Sequence, residues 1–274
     1  MSNFLSRTIT GFLFVVVLIT CIMVSEYTLF FLFLFIILIS VYEYLQISKT
    51  LKINLSAFWV YLLTLSSFIL PSLHLFYKTN LNVFALLLFL PFFTMLATVL
   101  TSKKNMLPSI AVSLFAPIYI TIPFLSLFNM GFIGHYKLGE TYHYEIVLGY
   151  FILLWCNDTG AYITGKKFGK HKLFERISPK KTWEGSIGGA ALSFLAAWFI
   201  YTYLGGMDSF EWYMSACIVV IFGTFGDLFE SLLKRNAGIK DSGKILPGHG
   251  GVLDRFDGVF LSAPVLYAYL LLVS

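Results

Sequence analysis

The sequence predicts an all-α polytopic integral membrane protein of about nine transmembrane helices, N-terminus cytoplasmic and C-terminus outside. Three observations carry that expectation. Hydrophobic residues make up 58% of the 274 and charged residues only 12%, and mean hydropathy is +0.82, whereas soluble domains carry about 25% charged residues. Apolar windows long enough to cross a bilayer, roughly 17 to 25 residues, recur along the whole chain. The cations fall almost entirely on alternate loops, the bias that marks cytoplasmic loops.

The windows run 8–24, 27–47, 55–76, 82–100, 109–128, 146–165, 185–204, 211–230 and 257–273. Only Ser25 and Glu26 part the first two. The first window, with Arg7 as its charged start, reads as an uncleaved signal anchor, since no small-residue cleavage site follows it. Pro71, Pro91, Pro117 and Pro123 lie inside windows, where membrane helices tolerate them. With the N-terminus inside, 17 of the 19 Lys and Arg lie in inner segments: Arg7, Lys49, Lys52, Lys103, Lys104, the seven cations of Lys166–Lys181 and the five of Lys234–Arg255. Lys78 and Lys137 are left outside. The net charge of +5 is thus a topological signal, and no nucleic-acid partner is read from it. Cys21, Cys156 and Cys217 lie in windows without CxxC or Cys/His spacing and read as packing residues. One membrane domain accounts for 1–274: a lipid-facing scaffold over 1–145, then a polar-rich catalytic half over 146–274 with cytoplasmic loops 165–184 and 231–256. The expected location is a bacterial cytoplasmic membrane, crossed many times.

The first half is ordinary except for Glu43, near the inner end of the second window. A carboxylate there either marks function or snorkels to the surface, and the sequence leaves both open. In the sixth window, next to Asn157, Asp158 falls inside the inner leaflet, and Tyr162 shares a helix face with it. Asp158 makes either a helix-packing hydrogen bond to a neighbouring helix or the polar wall of a site open to the cytoplasm. The basic loop then runs through Ser178-Pro179-Lys180-Lys181-Thr182-Trp183-Glu184-Gly185. A topology determinant with some affinity for anionic lipid explains its charge. Its order also suits an anion site, with Ser178 or Thr182 capping the next helix. Gly185 and Gly189 make a GxxxG pair that reads as a helix-approach motif.

The stretch Gly226–Gly258 is the most polar part of an oily chain. Asp227, Glu230, Ser231 and Lys234 make one stripe at i, i+3, i+4 and i+7, and Asp254 and Asp257 repeat the i, i+3 spacing. A solvated helix end is the plain reading of Glu230 and Lys234, though not of Asp227, which is still inside the apolar window. Four carboxylates gathered there would repel one another, and a divalent ion would relieve the repulsion, with magnesium the natural choice beside phosphate. Lys and Arg suit phosphate. His249 serves as a phosphate donor, a turn residue or a base, the first two being favoured because phosphate chemistry needs no strong base from the protein. No P-loop GxxxxGK[ST] is present. The residues alone therefore point to a metal-dependent phosphate enzyme at the cytoplasmic face.

Ser231, Lys234, Arg235, Lys240, Asp241, Gly243, Ile245 to Gly251, Leu253, Asp254, Arg255 and Asp257, in that fixed spacing, resemble the signature of the phosphatidate cytidylyltransferases (CDP-diacylglycerol synthases). Asn157 to Tyr162 and Ser178 to Gly185 are similar to further blocks of that family. The likeness covers roughly the C-terminal half. It implies a nucleotidyltransferase of phospholipid biosynthesis, converting CTP and phosphatidate to CDP-diacylglycerol and pyrophosphate with magnesium, and with a second cation left open. It implies that Asp227, Asp254 and Asp257 bind metal and, with Lys234, form the catalytic group. Ser178, Lys180, Lys181, Thr182, Ser231, Arg235, Lys240, His249 and Arg255 would bind the phosphates of CTP or phosphatidate, and Asn157 and Asp158 would wall the site. Expected partners are these two substrates and membrane lipids, with homodimerisation through span glycines left open. The alternatives are a CTP-dependent transferase acting on another lipid phosphate or a polyprenol, and a cation or proton transporter. A transporter would keep its acids near the midplane with routes to both faces, which this clustering at one face does not match.

Overall fold

The computed structural model describes residues 3–101, 105–134, 137–138, 141–243, 245 and 250–273. Each predicted window is a helix: α1 Asn3–Val24, α2 Glu26–Thr50, α3 Ala57–Tyr77, α4 Ala85–Thr101, α5 Met106–Ala116 running through a wide π-helical turn at Pro117–Thr121 into α6 Ile122–Met130, α7 Tyr144–Phe168, α8 Trp183–Tyr203, α9 Ser209–Asn236 and α10 Val259–Val273. Six spans (α2, α3, the continuous Met106–Met130, α7, α8 and α9) are long and apolar enough to cross a membrane; the apolar runs of α1, α4 and α10 are shorter. An all-α membrane protein is therefore what the chain forms. Its β structure among the described residues is two short antiparallel hairpins, β1 Ile133–Gly134 with β2 Lys137–Leu138 and β3 Lys172–Phe174 with β4 Ser178–Thr182. Lys103, Lys104, Lys244, Leu246, Pro247, Gly248 and His249, all named above, lie outside the described residues.

The chain divides into two compact units. The first comprises Met1–Cys21, Tyr27–Leu125 and Asn236–Phe256, the second Ile22–Glu26, Ser126–Arg235 and Asp257–Ser274. In the first, the Tyr44 hydroxyl donates to the Val112 carbonyl at 2.8 Å, and Thr121 at the π-turn donates to the Thr64 carbonyl at 2.9 Å. Buried Phe30, Phe33, Phe68 and Phe124 fill its interior.

In the second unit the closest packing is between α7 and α8, and glycine makes it possible. A Cβ at Gly160 would stand 2.6 Å from the Gly188 carbonyl oxygen, and one at Gly189 would stand 2.7 Å from both oxygens of Asn157. Small residues let membrane helices approach this closely. The GxxxG face of α8 is thus used against α7 of the same chain. Where α7 ends, Trp183 donates its backbone N–H to the His171 carbonyl at 3.0 Å. The Glu184 carboxylate accepts from the Lys170 and His171 backbone N–H groups at 3.1–3.2 Å and meets His171 Nδ1 at 2.6 Å. These bonds fold the basic loop back over the start of α8 as the β3–β4 hairpin, a shape that hydropathy and charge spacing do not announce.

Candidate active site

Within the second unit, a cleft of about 360 Å³ opens where the end of α7, strand β4, the first turn of α8, the middle of α9 and the turn before α10 meet. α7 contributes Asn157, Asp158, Ala161 and Tyr162; β4 and α8 contribute Ser178, Lys180, Lys181, Thr182, Gly185 and Ser186; α9 contributes Gly223, Thr224 and Asp227; and the last turn contributes Asp257 and Gly258. Asp158 and Tyr162 face the same space, as their i, i+4 spacing requires. The last turn comes close to α9 because position 226 is glycine: any side chain there would run into the Asp257 carbonyl.

Opposite charges meet in this cleft. Lys181 Nζ lies 2.6 Å from Asp227 Oδ2 and 3.3 Å from the Thr224 carbonyl oxygen, and Ser231 donates to Asp227 Oδ1 at 3.2 Å. One turn on, Lys234 Nζ lies 2.5 Å from Glu230 Oε2. Asp257 Oδ1 accepts the Gly258 N–H at 2.7 Å. Oxygens of Asp227, Glu230 and Asp257 come within 4.8 Å of one another. Three carboxylates this close repel when all are ionised, and two ammonium groups offset part of that charge. Such an all-oxygen donor set suits a hard divalent cation. Thr182 serves the local fold as the N-cap of α8, its Oγ1 accepting the Gly185 N–H at 3.2 Å.

The first unit holds a second group of acids. Glu43 is 1% exposed. Its Oε1 accepts the Val252 N–H at 2.9 Å, and its Oε2 accepts from Leu253 N–H and Ser242 Oγ at 3.0 Å each. Asp254 Oδ2 accepts from Ser242 N–H at 2.9 Å and Gly251 N–H at 2.8 Å, and lies 3.0 Å from the same Ser242 Oγ, whose one hydrogen is shared between the two acids. Lys240 and Arg255, of the same segment, are exposed, as is Arg235 at the end of α9.

The whole chain can be set against known proteins. Residues 5–273 match the model of the cytidylyltransferase family. The chain belongs to the cytidylyltransferase family. Among curated relatives, the phosphatidate cytidylyltransferase of Bacillus subtilis (strain 168) is 33% identical over 276 residues, covering 98% of each chain. Phosphatidate cytidylyltransferases of Staphylococcus aureus (strain COL) and Staphylococcus epidermidis are 38% identical over 182 residues and 41% over 148, covering 66% of both chains in the first case and 51% of this chain and 56% of the relative in the second. The match extends the likeness through the N-terminal half, where the sequence offered hydropathy alone.

In this cytidylyltransferase one acid departs from its plain reading and another, left open by the sequence, finds its place. Glu230 is no solvated helix end: it is 1% exposed and part of the acid trio. Its i, i+3 spacing from Asp227 was the signal that could have placed it there. Glu43 does not snorkel, for its buried carboxylate meets the Ser242 hydroxyl and the Val252 and Leu253 N–H groups.

Proposed function

We propose that this chain is a phosphatidate cytidylyltransferase, which transfers the cytidylyl group of CTP to phosphatidate to give CDP-diacylglycerol and pyrophosphate. The observation that carries the proposal is that blocks of the signature far apart in sequence, around Asp158, Lys181, Asp227 and Asp257, line one cleft. A phosphate oxygen of the lipid attacks the α-phosphorus of CTP, a new P–O bond forms, and the bond to the β-phosphate oxygen breaks to release pyrophosphate. Both reactants are anions, so charge neutralisation and alignment are the main contributions the protein makes.

Lys180 and Lys181, with Ser178, orient phosphate groups from β4, and Lys234 and Arg235 do so from α9. Lys240, Arg255 and His249 keep the phosphate-binding roles that their places in the signature imply. Asp227 and Asp257, with Glu230 beside them, are the residues that would hold magnesium, and Asp254 keeps the metal-binding role that its place in the signature implies; a second cation is compatible with so many carboxylates. The bound ion would neutralise the phosphates and polarise the reacting phosphoryl group. Asp158 and Asn157 wall the cleft on the α7 side. Release of Lys181 from Asp227 is the local change by which its ammonium turns to phosphate.

The chain crosses a bacterial inner membrane nine times, α1, α4 and α10 included, with its N-terminus and this cleft on the cytoplasmic side where CTP is found. Support comes from the lysine and arginine bias and from the agreement of nine apolar windows with nine helical runs. A cysteine at Lys172 is then labelled from the cytoplasm and not from outside intact cells; outside labelling overturns the orientation. The reaction is tested with purified protein in mixed micelles containing phosphatidate, magnesium and CTP labelled at the α-phosphate. Label passing into the lipid phase, and its loss on chelation with recovery on adding magnesium back, is the expected result. Folded protein that transfers no label to phosphatidate overturns the assignment of the acceptor.

A further inference from the structure

A buried acid that the reaction leaves unused is Glu43 on α2. Burying an ionised carboxylate is costly unless hydrogen bonds replace its water, and here the replacement comes from one short part of the chain. Val252 and Leu253 give backbone N–H groups and Ser242 gives its hydroxyl, all at 2.9–3.0 Å. Glu43 thus holds both ends of the segment 242–253. The fit leaves no room for a side chain: a Cβ at Gly243 would stand 2.8 Å from Glu43 Cδ, and one at Gly251 would stand 2.5 Å from Glu43 Oε2. Ser242 is shared, because its Oγ also lies 3.0 Å from Asp254 Oδ2. One hydroxyl therefore links the α2 carboxylate to the signature carboxylate, and the Gly251 N–H fixes that same Asp254 oxygen from the other side.

We propose that Glu43 is a positioning residue for cytidylyl transfer: it ties Ser242 to Val252 and Leu253 and, through Ser242, sets the orientation of the Asp254 carboxylate. The proposal rests on the cytidylyltransferase reading and on the place of Asp254 in it. Neighbours that orient a functional carboxylate typically change activity or metal affinity by 10- to 100-fold when altered. Glu43→Gln keeps the size but sets an NH₂ against a donor. Its kcat per folded molecule falls by roughly that factor while KM for CTP stays at the wild-type value, and Glu43→Asp, which keeps both acceptor oxygens, recovers part of the loss.

A second readout needs no turnover. Tryptic cleavage after Lys240, compared in native detergent-solubilised protein, is faster in Glu43→Gln than in wild type. Ser242→Ala, which deletes only the shared hydroxyl, supplies a milder variant should Glu43→Gln fold poorly, with the same direction in both readouts. Wild-type kcat per folded molecule in both variants overturns the proposal, and so does a loss of activity that merely tracks the amount of unfolded protein. Wild-type protein that transfers no label sinks the cytidylyltransferase reading instead, and the protease comparison still decides whether Glu43 is the clamp.

Discussion

Glu43 and Asp254 are met mainly by donors of the folded backbone, whereas Asp227, Glu230 and Asp257 face one another, and lysines meet the first two of them. Among the described residues, the first group accepts from the backbone N–H groups of Ser242, Gly251, Val252 and Leu253. The Ser242 hydroxyl lies 3.0 Å from an oxygen of each acid and donates to one at a time. Each hydrogen bond to a charged group contributes about 1.5–3 kcal/mol, and the backbone donors cannot be exchanged without moving the chain. In the second group the partners of Asp227 and Glu230 are the ends of flexible side chains, Lys181 and Lys234. Those ammonium groups can swing to a phosphate and leave the oxygens to a metal ion. The same chemical group is thus an anchor where its partners are fixed and a ligand site where they are mobile.

The largest effects that would break this contrast come from removing single charges. Asp257→Asn takes one carboxylate out of the trio while its remaining oxygen still accepts the Gly258 N–H. Label transfer falls to background, and thermal stability in detergent rises by about 1 kcal/mol, the scale of two like charges near 4 Å in a watery cleft. Asp254→Asn also abolishes turnover with the protein folded and inserted, but its stability falls, because the Ser242 and Gly251 N–H groups on Oδ2 lose a charged acceptor. Equal signs for the two melting shifts would erase the distinction, and near-normal activity of Asp254→Asn would remove that residue from the reaction. Lys181→Ala comes next. It deprives Asp227 of its 2.6 Å partner and the phosphates of a donor, so kcat/KM for CTP falls by roughly 10- to 100-fold, the equivalent of about 1.5–3 kcal/mol, and Lys181→Arg restores part of it. An unchanged kcat/KM would make the ion pair a resting feature of the cleft.

How much of this was legible in the sequence depended on how local the signal was. The helices were, because a bilayer needs about 20 apolar residues for each crossing. The window 27–47 became Glu26–Thr50, and 146–165 became Tyr144–Phe168. The window 211–230 fell short of Ser209–Asn236 for a clear reason: the apolar run ends at 230, whereas the helix continues through Ser231, Lys234 and Arg235, which complete the polar stripe begun by Asp227. The i, i+3 and i, i+4 spacings placed Asp158 with Tyr162 correctly for the same local reason. The partners of Glu43 were not legible, since Ser242 lies 199 residues away and no periodicity spans such a distance. The β3–β4 hairpin escaped as well: its strands of three and five residues hold cations instead of an apolar alternation, and what fixes them is Glu184 on the next helix.

Thr182 shares features with both kinds of site and gives the smallest and sharpest test. It lines the cleft beside Lys181 and matches a phosphate-binding block, yet it is buried and its hydroxyl oxygen already accepts the Gly185 N–H at the start of α8. By the logic of the anchor group, a polar atom engaged by a fixed backbone donor serves the fold first. Thr182→Ala then costs about 1 kcal/mol of stability, the usual scale for a lost N-cap, and Thr182→Ser, which keeps the oxygen, costs less. KM for CTP and for phosphatidate stays within about twofold in both, since a factor of two is well under the roughly 1.4 kcal/mol that a tenfold change requires. A tenfold rise in KM for either substrate at an unchanged melting temperature would reverse the order. The hydroxyl would then belong with Lys181 among the exchangeable partners, and the cap would be incidental to a phosphate contact made from the same atom.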